Sequence, residues 1–204
     1  MTPKANLIIA ALVLVGCTTA PAKADPEPFL LDGQHTHIVW QVDRFGFTNT
    51  VGTFTEISGE LMLDEETPEA SSVTAEIQLS GLRSDLLERE EIVRGAFWLD
   101  AESHPTINFR STEIVLVESE SCPKFCAVVN GEMTLKGVSA PLSLKVELNK
   151  LGVDPVTKQQ AAGFKATGRF QRSDYGVSTA IGPIGDDVSF EVHALAIKKG
   201  DQEQ

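Results

Sequence analysis

The stretch Gly131–Leu148, GEMTLKGVSAPLSLKVEL, decides the fold. It holds two alternating runs, Met133-Thr134-Leu135-Lys136 and Leu142-Ser143-Leu144-Lys145-Val146-Glu147-Leu148. Between them lies a breaker cluster, Gly137-Val138-Ser139-Ala140-Pro141. Successive side chains of a strand point to opposite faces, so Leu142, Leu144, Val146 and Leu148 share one face. Ser143, Lys145 and Glu147 share the other. One dry face and one wet face is the pattern of an antiparallel sheet.

The same writing recurs on both sides of this stretch. Residues 36–42 place Ile38, Trp40 and Val42 on one face. Residues 51–63 carry Val51, Phe54, Ile57, Leu61 and Leu63, and Gly52 and Gly59 predict bends or bulges there. Val73, Ala75, Ile77 and Leu79 alternate with Ser72, Thr74, Glu76 and Gln78. Further strands are read from Ile107 to Val117, Phe125 to Leu135, Phe164 to Gln171 and Val188 to Ala194. Only Ser84–Phe97 has helical spacing, with Leu86, Leu87, Ile92, Val93 and Phe97 as its apolar positions. Ser84 or Asp85 is the expected cap. Glu88, Glu90 and Glu91 are expected on its solvated face. About eight one-sided strands with short connections predict an all-β chain, a closed barrel or a two-sheet sandwich, with one short inserted helix.

Residues 1–24 read as a targeting segment preceding a single domain over 25–204. Lys4 precedes a short apolar core, Leu7 to Val15, that is too short to span a bilayer. Two processing sites stand in it. Leu14-Val15-Gly16-Cys17 resembles a bacterial lipobox, with cleavage before Cys17 and a lipid anchor on it. Ala22-Lys23-Ala24 is an A-x-A site, with signal peptidase cleavage after Ala24. Both imply export to the periplasm, either soluble or lipid-anchored to the envelope membrane.

Acidic residues outnumber basic ones by 29 to 17, and removal of Lys4 and Lys23 widens the excess. Such a surface repels phosphate backbones, which excludes nucleic acid as a partner and membrane binding through a basic patch. Cys122 and Cys126 lie in Ser-Cys-Pro-Lys-Phe-Cys. In an oxidising compartment a close pair of this kind is expected to form a disulfide.

Chemistry-bearing residues are few. There is no G-x-S-x-G elbow, phosphate loop or H-E-x-x-H. His35 and His37 stand two apart on an expected strand, which puts both rings on one face, yet a catalytic zinc needs a third protein ligand. His104 and His193 supply one only if the fold gathers them, and no metal is expected. Arg172 and Asp174 share strand parity and can pair, so a structural ion pair or a turn is expected there. Gly182–Asp187 reads as a turn at a rim.

An ordered set of motifs resembles the YceI-like family. It starts with Asp32-Gly33-Gln34-His35-Thr36-His37 and Gly52-Thr53-Phe54. It continues through Phe97-Trp98-Leu99-Asp100, His104-Pro105-Thr106-Ile107-Asn108-Phe109 and Ser111-Thr112. Gly131–Val138 with Pro141-Leu142, and Arg172-Ser173-Asp174-Tyr175-Gly176 with the strand from Val188, complete it. The resemblance implies an eight-stranded antiparallel lipocalin-like barrel around an apolar interior that holds a polyisoprenoid chain. The family often has His where this chain has Arg44, and a guanidinium there favours an anionic or carbonyl head group.

The expected function is binding of a prenyl quinone or polyprenyl chain for carriage or storage in the cell envelope. Apolar area withdrawn from water drives such binding with few polar contacts. Trp40, Arg44, Phe45, Phe47, Phe54, Trp98, Phe109, Phe164, Phe170 and Phe190 are the interior candidates. No cofactor is expected beyond the bound isoprenoid lipid or quinone, and a homodimer is a further candidate assembly. An envelope interaction module with a packed interior is the alternative, and an isoprenoid-modifying enzyme is the third.

Overall fold

The computed structural model describes residues 25–117 and 125–200. The targeting segment with Cys17 and Ala24, and Cys122 of the expected disulfide, lie outside the described residues.

The described residues form an antiparallel barrel whose strands follow eight paths. The first three paths are each broken in two. Strands β1 (Glu27–Leu31) and β2 (His37–Arg44) make the first, β3 (Thr48–Phe54) and β4 (Ile57–Leu63) the second. Strands β5 (Ser72–Gln78) and β6 (Leu82–Ser84) make the third. The others are continuous: β7 (Thr106–Leu116), β8 (Cys126–Leu135), β9 (Val138–Val153), β10 (Gln160–Gln171) and β11 (Ile184–Lys198). Strand β11 pairs with β10 along one edge. Along its other edge it pairs with β2 through His193↔His37 and then with β1 through Ala196↔Leu31. That second edge closes the barrel and leaves no long unpaired strand edge to invite aggregation.

The opening stretch folds as the β8–β9 hairpin, with a tighter turn than its breaker cluster suggests. Only Lys136 (φ 51°) and Gly137 (φ 75°) form the turn. Two left-handed residues match the twist of the strands they join. Strand β9 already begins at Val138, and Pro141 pairs opposite Glu132. Counting from the closing pair Leu135↔Val138, the nitrogen of Pro141 faces away from β8, toward β10. Pairing with β10 ends at Lys145, so the missing N–H interrupts no ladder there.

Gly52 and Gly59 do not break their strands. The interruption falls at Thr55-Glu56, while both glycines admit close neighbours. A Cβ on Gly52 would stand 2.3 Å from Cζ2 of Trp40, and one on Gly59 would stand 2.2 Å from the Thr74 carbonyl oxygen. Strand β1 carries no alternation long enough to read, yet Phe29 at its centre is fully buried.

The helix is shorter than its spacing predicts, Leu87–Arg94 (α1). Neither Ser84 nor Asp85 caps it: the N-cap is Leu86, without a side-chain cap, and Ser84 Oγ accepts from the Leu86 N–H at 3.2 Å. Glu90 corrects the expectation of a solvated face: it is 4% exposed, and its Oε1 accepts from the Ser84 N–H at 2.8 Å. A buried carboxylate is tolerated because that bond and Arg94, 3.7 Å from Oε2, compensate it. Helix α1 packs beside β6 at the barrel end where β6 has no strand neighbour beyond β3.

Candidate functional site

Even-numbered residues of β2 and their same-parity counterparts on the other strands point inward. They enclose a cavity of about 430 Å³ that runs from Pro68, Ser71 and Phe125 at one end to Arg44, Ile92 and Arg172 at the other. The volume lies in the roughly 300–1,000 Å³ range of ligand sites. A fully packed interior is therefore not what the barrel has.

Eight of the ten expected interior residues stand on this wall: Trp40, Arg44, Phe54, Trp98, Phe109, Phe164, Phe170 and Phe190. Their rings are set by one another. Phe170 meets Tyr175 edge-on at 5.3 Å between centroids and lies 6.1 Å from Phe190. Trp40 is 6.5 Å from Phe54 and spreads across the space that Gly52 leaves. Tyr175, absent from the sequence-based set, is fully buried behind Phe170.

Phe45 and Phe47 stand outside the cavity. Both are odd-numbered, the outward parity of β2, and beyond Arg44 the chain turns through Phe45 (φ 56°) and Gly46 (φ 69°). Phe45 is half exposed under the Arg44 guanidinium, 4.7 Å from its ring centre, and Phe47 is 91% exposed.

Among the described residues the wall's polar side chains are Thr36, Trp40, Arg44, Thr50, Ser71, Arg89, Trp98 and Arg172, with no carboxylate, histidine or cysteine. Thr36 Oγ1 is engaged with the Leu195 backbone and Ser71 Oγ accepts from the Asp64 N–H. The three arginines gather at the helix end. Arg89 pairs with Asp85. Arg172 does not pair with Asp174: residues Arg172–Tyr175 form a 3-10 turn, which ends the alternation that would have aligned them. Its guanidinium instead donates to the carbonyls of Val177, Thr179, Ile184 and Gly185 at 2.7–3.0 Å. Asp186 accepts from both N–H and Oγ of Ser173, so the acids of the Gly182–Asp187 stretch include one already used in holding the turn.

The histidines do not gather on one site. His35 lies in the turn after β1 with Nδ1 2.7 Å from Asp32. The expected His35–His37 pairing fails because residue 35 precedes β2. His37 stacks on His193 on the outer face, at 5.0 Å between centroids, and His193 Nε2 is 2.8 Å from Glu191. His104 packs against Gly137. Among the described residues no group of three or more His, Cys, Asp or Glu side chains is placed to hold a metal ion.

A closed antiparallel barrel around an apolar, elongated cavity defines the class of small barrel that encloses one ligand or its own side chains. The description "YceI-like domain" matches residues 29–196, and the chain belongs to the YceI-like family. It is 29% identical over 196 residues to a UPF0312 protein of an Enterobacter species, covering 96% of this chain and 98% of that one. Among solved structures it is similar in fold to BcnA of Burkholderia cenocepacia, with a TM-score of 0.70 at 19% identity over 81% of this chain and 98% of that one. A polyisoprenoid-binding domain from Saccharophagus degradans is also similar, with a TM-score of 0.58 at 11% identity over 85% of this chain and 99% of that one.

Proposed function

We propose that the barrel binds an isoprenoid lipid, a prenyl quinone or polyprenyl chain, for carriage or storage in the cell envelope. The observation that carries this reading is the apolar cavity running between the two ends of the barrel, walled by side chains from every strand path. The Saccharophagus domain's description as polyisoprenoid-binding points the same way. A prenyl tail is long, flexible and apolar, and its burial along such a wall yields roughly 25 cal/mol per Å². The polar head belongs at the helix end, where Arg44 and Arg89 reach the wall and favour an anionic or carbonyl group. On this reading the ligand is held: among the described residues the wall pairs no hydroxyl with a base, as nucleophilic catalysis would require.

Export through residues 1–24, with either a lipid anchor at Cys17 or release after Ala24, places the protein in the periplasm. A Cys122–Cys126 disulfide suits that compartment. Titration of the delipidated protein with a soluble prenyl quinone tests the binding itself. Quenching of Trp40 and Trp98 fluorescence that saturates at one quinone per chain is the expected result. Absence of saturable quenching contradicts it.

A further inference from the structure

The helix end of the barrel carries large apolar side chains in water. Phe45 and Phe47 sit on the β2–β3 turn, Leu87 and Ile92 on α1, Phe97 after it and Ile181 ahead of β11. Phe47, Phe97 and Leu87 are 91%, 82% and 76% exposed. Hydrogen bonds make these segments one rim. The Phe45 N–H donates to the Pro183 carbonyl at 2.7 Å, and Thr179 Oγ1 donates to the Phe97 carbonyl. The Leu99 N–H donates to the Val93 carbonyl at 3.0 Å, which fastens the helix to the same unit.

This rim is also the mouth of the cavity. Ile92 and Arg44 are both exposed to solvent and both on the cavity wall. Arg44, Arg89 and Arg94 stand at this end with the buried Arg172, and Arg89 pairs with Asp85 and Arg94 with Glu90. Among the described residues Arg44 has no carboxylate within ion-pair distance, and its guanidinium rests on the Phe45 ring.

Strand β11 ends at Lys198, at the opposite end of the barrel.

We propose that this rim docks on the surface of a phospholipid bilayer, and that the cavity loads and unloads through it. The inference rests on the cargo reading above. Apolar side chains projecting singly from three segments, with charged residues between them, suit an interface where each anchor sinks among acyl chains. The Arg44 guanidinium beside them is placed to meet a lipid phosphate with bidentate geometry. A flat protein partner would leave the intervening charges without water or pairing. A docked mouth also lets a prenyl chain pass from bilayer to barrel without crossing water, the step that hydrophobic hydration opposes.

The test uses protein purified from the cell envelope and carrying Cys17→Ala, so that no acyl anchor at that residue contributes. Its co-sedimentation with phosphatidylcholine vesicles is compared with that of a Phe47→Ser/Phe97→Ser variant. Vesicle binding that falls on the order of tenfold or more in the variant is expected. Both proteins should take up the same prenyl quinone from detergent. Equal partition of the two, or no vesicle binding by either, overturns the proposal. A concentration-dependent dimer lost in the variant, without vesicle binding, also overturns it and assigns the rim to a second copy. Rim-dependent vesicle binding by protein that takes up no quinone supports the docking surface and removes the cargo reading alone.

Discussion

The guanidinium of Arg172 lies 5.1 Å from the ring centre of Trp98, and its N–H groups reach four backbone carbonyls of the segment leading into β11. One buried charge thus fastens the 172–185 segment and supports the aromatic wall at the helix end. Burial holds its pKa below the usual arginine range, with the Asp186 charge acting the other way. Stripping the guanidinium would orphan the buried Val177 carbonyl and three part-buried ones at once, at about 1–3 kcal/mol for a fully buried group and less for the others. Arg172→Ala should therefore lower stability by roughly 3–5 kcal/mol. Arg172→Lys should recover only part of it, because an ammonium cannot span the fork. Urea unfolding monitored by tryptophan fluorescence reads both changes, and a loss under about 1 kcal/mol for the alanine variant would refute this role.

Tyr175 gives a signature at high pH. It is the one tyrosine in the chain, and burial raises the pKa of its hydroxyl above the ordinary 10.0, with Asp174 adding to the shift. The folded state therefore holds this proton more tightly than the unfolded chain. Its contribution is intact below pH 10.0 and is lost as pH rises toward the folded pKa. Tyrosinate absorbance in the native protein should appear only above the pH at which it appears in urea. Tyr175→Phe should flatten the alkaline decline of the melting temperature relative to the parent. Coincident absorbance titrations in the two states would contradict the assignment.

Gly52 is the opening that lets the Trp40 indole lie across β3. A valine there would meet Trp40 at 2.3 Å and the Arg83 carbonyl at 2.8 Å from its Cβ. Overpacking of this kind costs about 1–3 kcal/mol, and the indole's only relief is inward. Gly52→Val is expected to lower stability by that amount and to reduce quinone uptake. Unchanged uptake in a folded variant would show that Trp40 does not border the occupied volume.

Much of this architecture was legible because one-sided strands have a period of two, and a closed barrel needs that pattern on every path. Most positions read as dry line the cavity, Ile38, Trp40, Val42, Val73, Ala75, Ile77, Leu142, Leu144 and Val146 among them, while Leu79 and Leu148 do not. The pattern failed where the chain stops being a strand. Phe45 and Phe47 have the outer parity of β2 and entered the interior set on aromatic bulk alone, and the turn at Phe45-Gly46 leaves both rings in water. Arg172 and Asp174 were aligned by parity that the 3-10 turn removes. Glu90 looked like one acid among three, since nothing local announces that its carboxylate reaches back to Ser84. Strand β1 is only Glu-Pro-Phe-Leu-Leu, too short for periodicity to separate it from a loop. The stacking of His37 on His193 joins the first path to the last, a relation that only the closed barrel creates.

Filling the cavity separates binding from folding. Ala166 is buried on the wall between Val146 of β9 and Val192 of β11. Ala166→Phe would occupy space that a ligand would otherwise fill. Bound quinone should fall from near one per chain to near zero, while cooperative unfolding is retained. Full uptake by the folded variant would place the ligand elsewhere.

The most direct measurement is organic extraction of protein purified from the cell envelope, followed by mass spectrometry of the extract. A prenyl quinone or polyprenyl species at near-equal stoichiometry with the barrel is the predicted result. An empty extract, together with failure to take up added prenyl quinone, would contradict isoprenoid binding and leave the barrel without its proposed cargo.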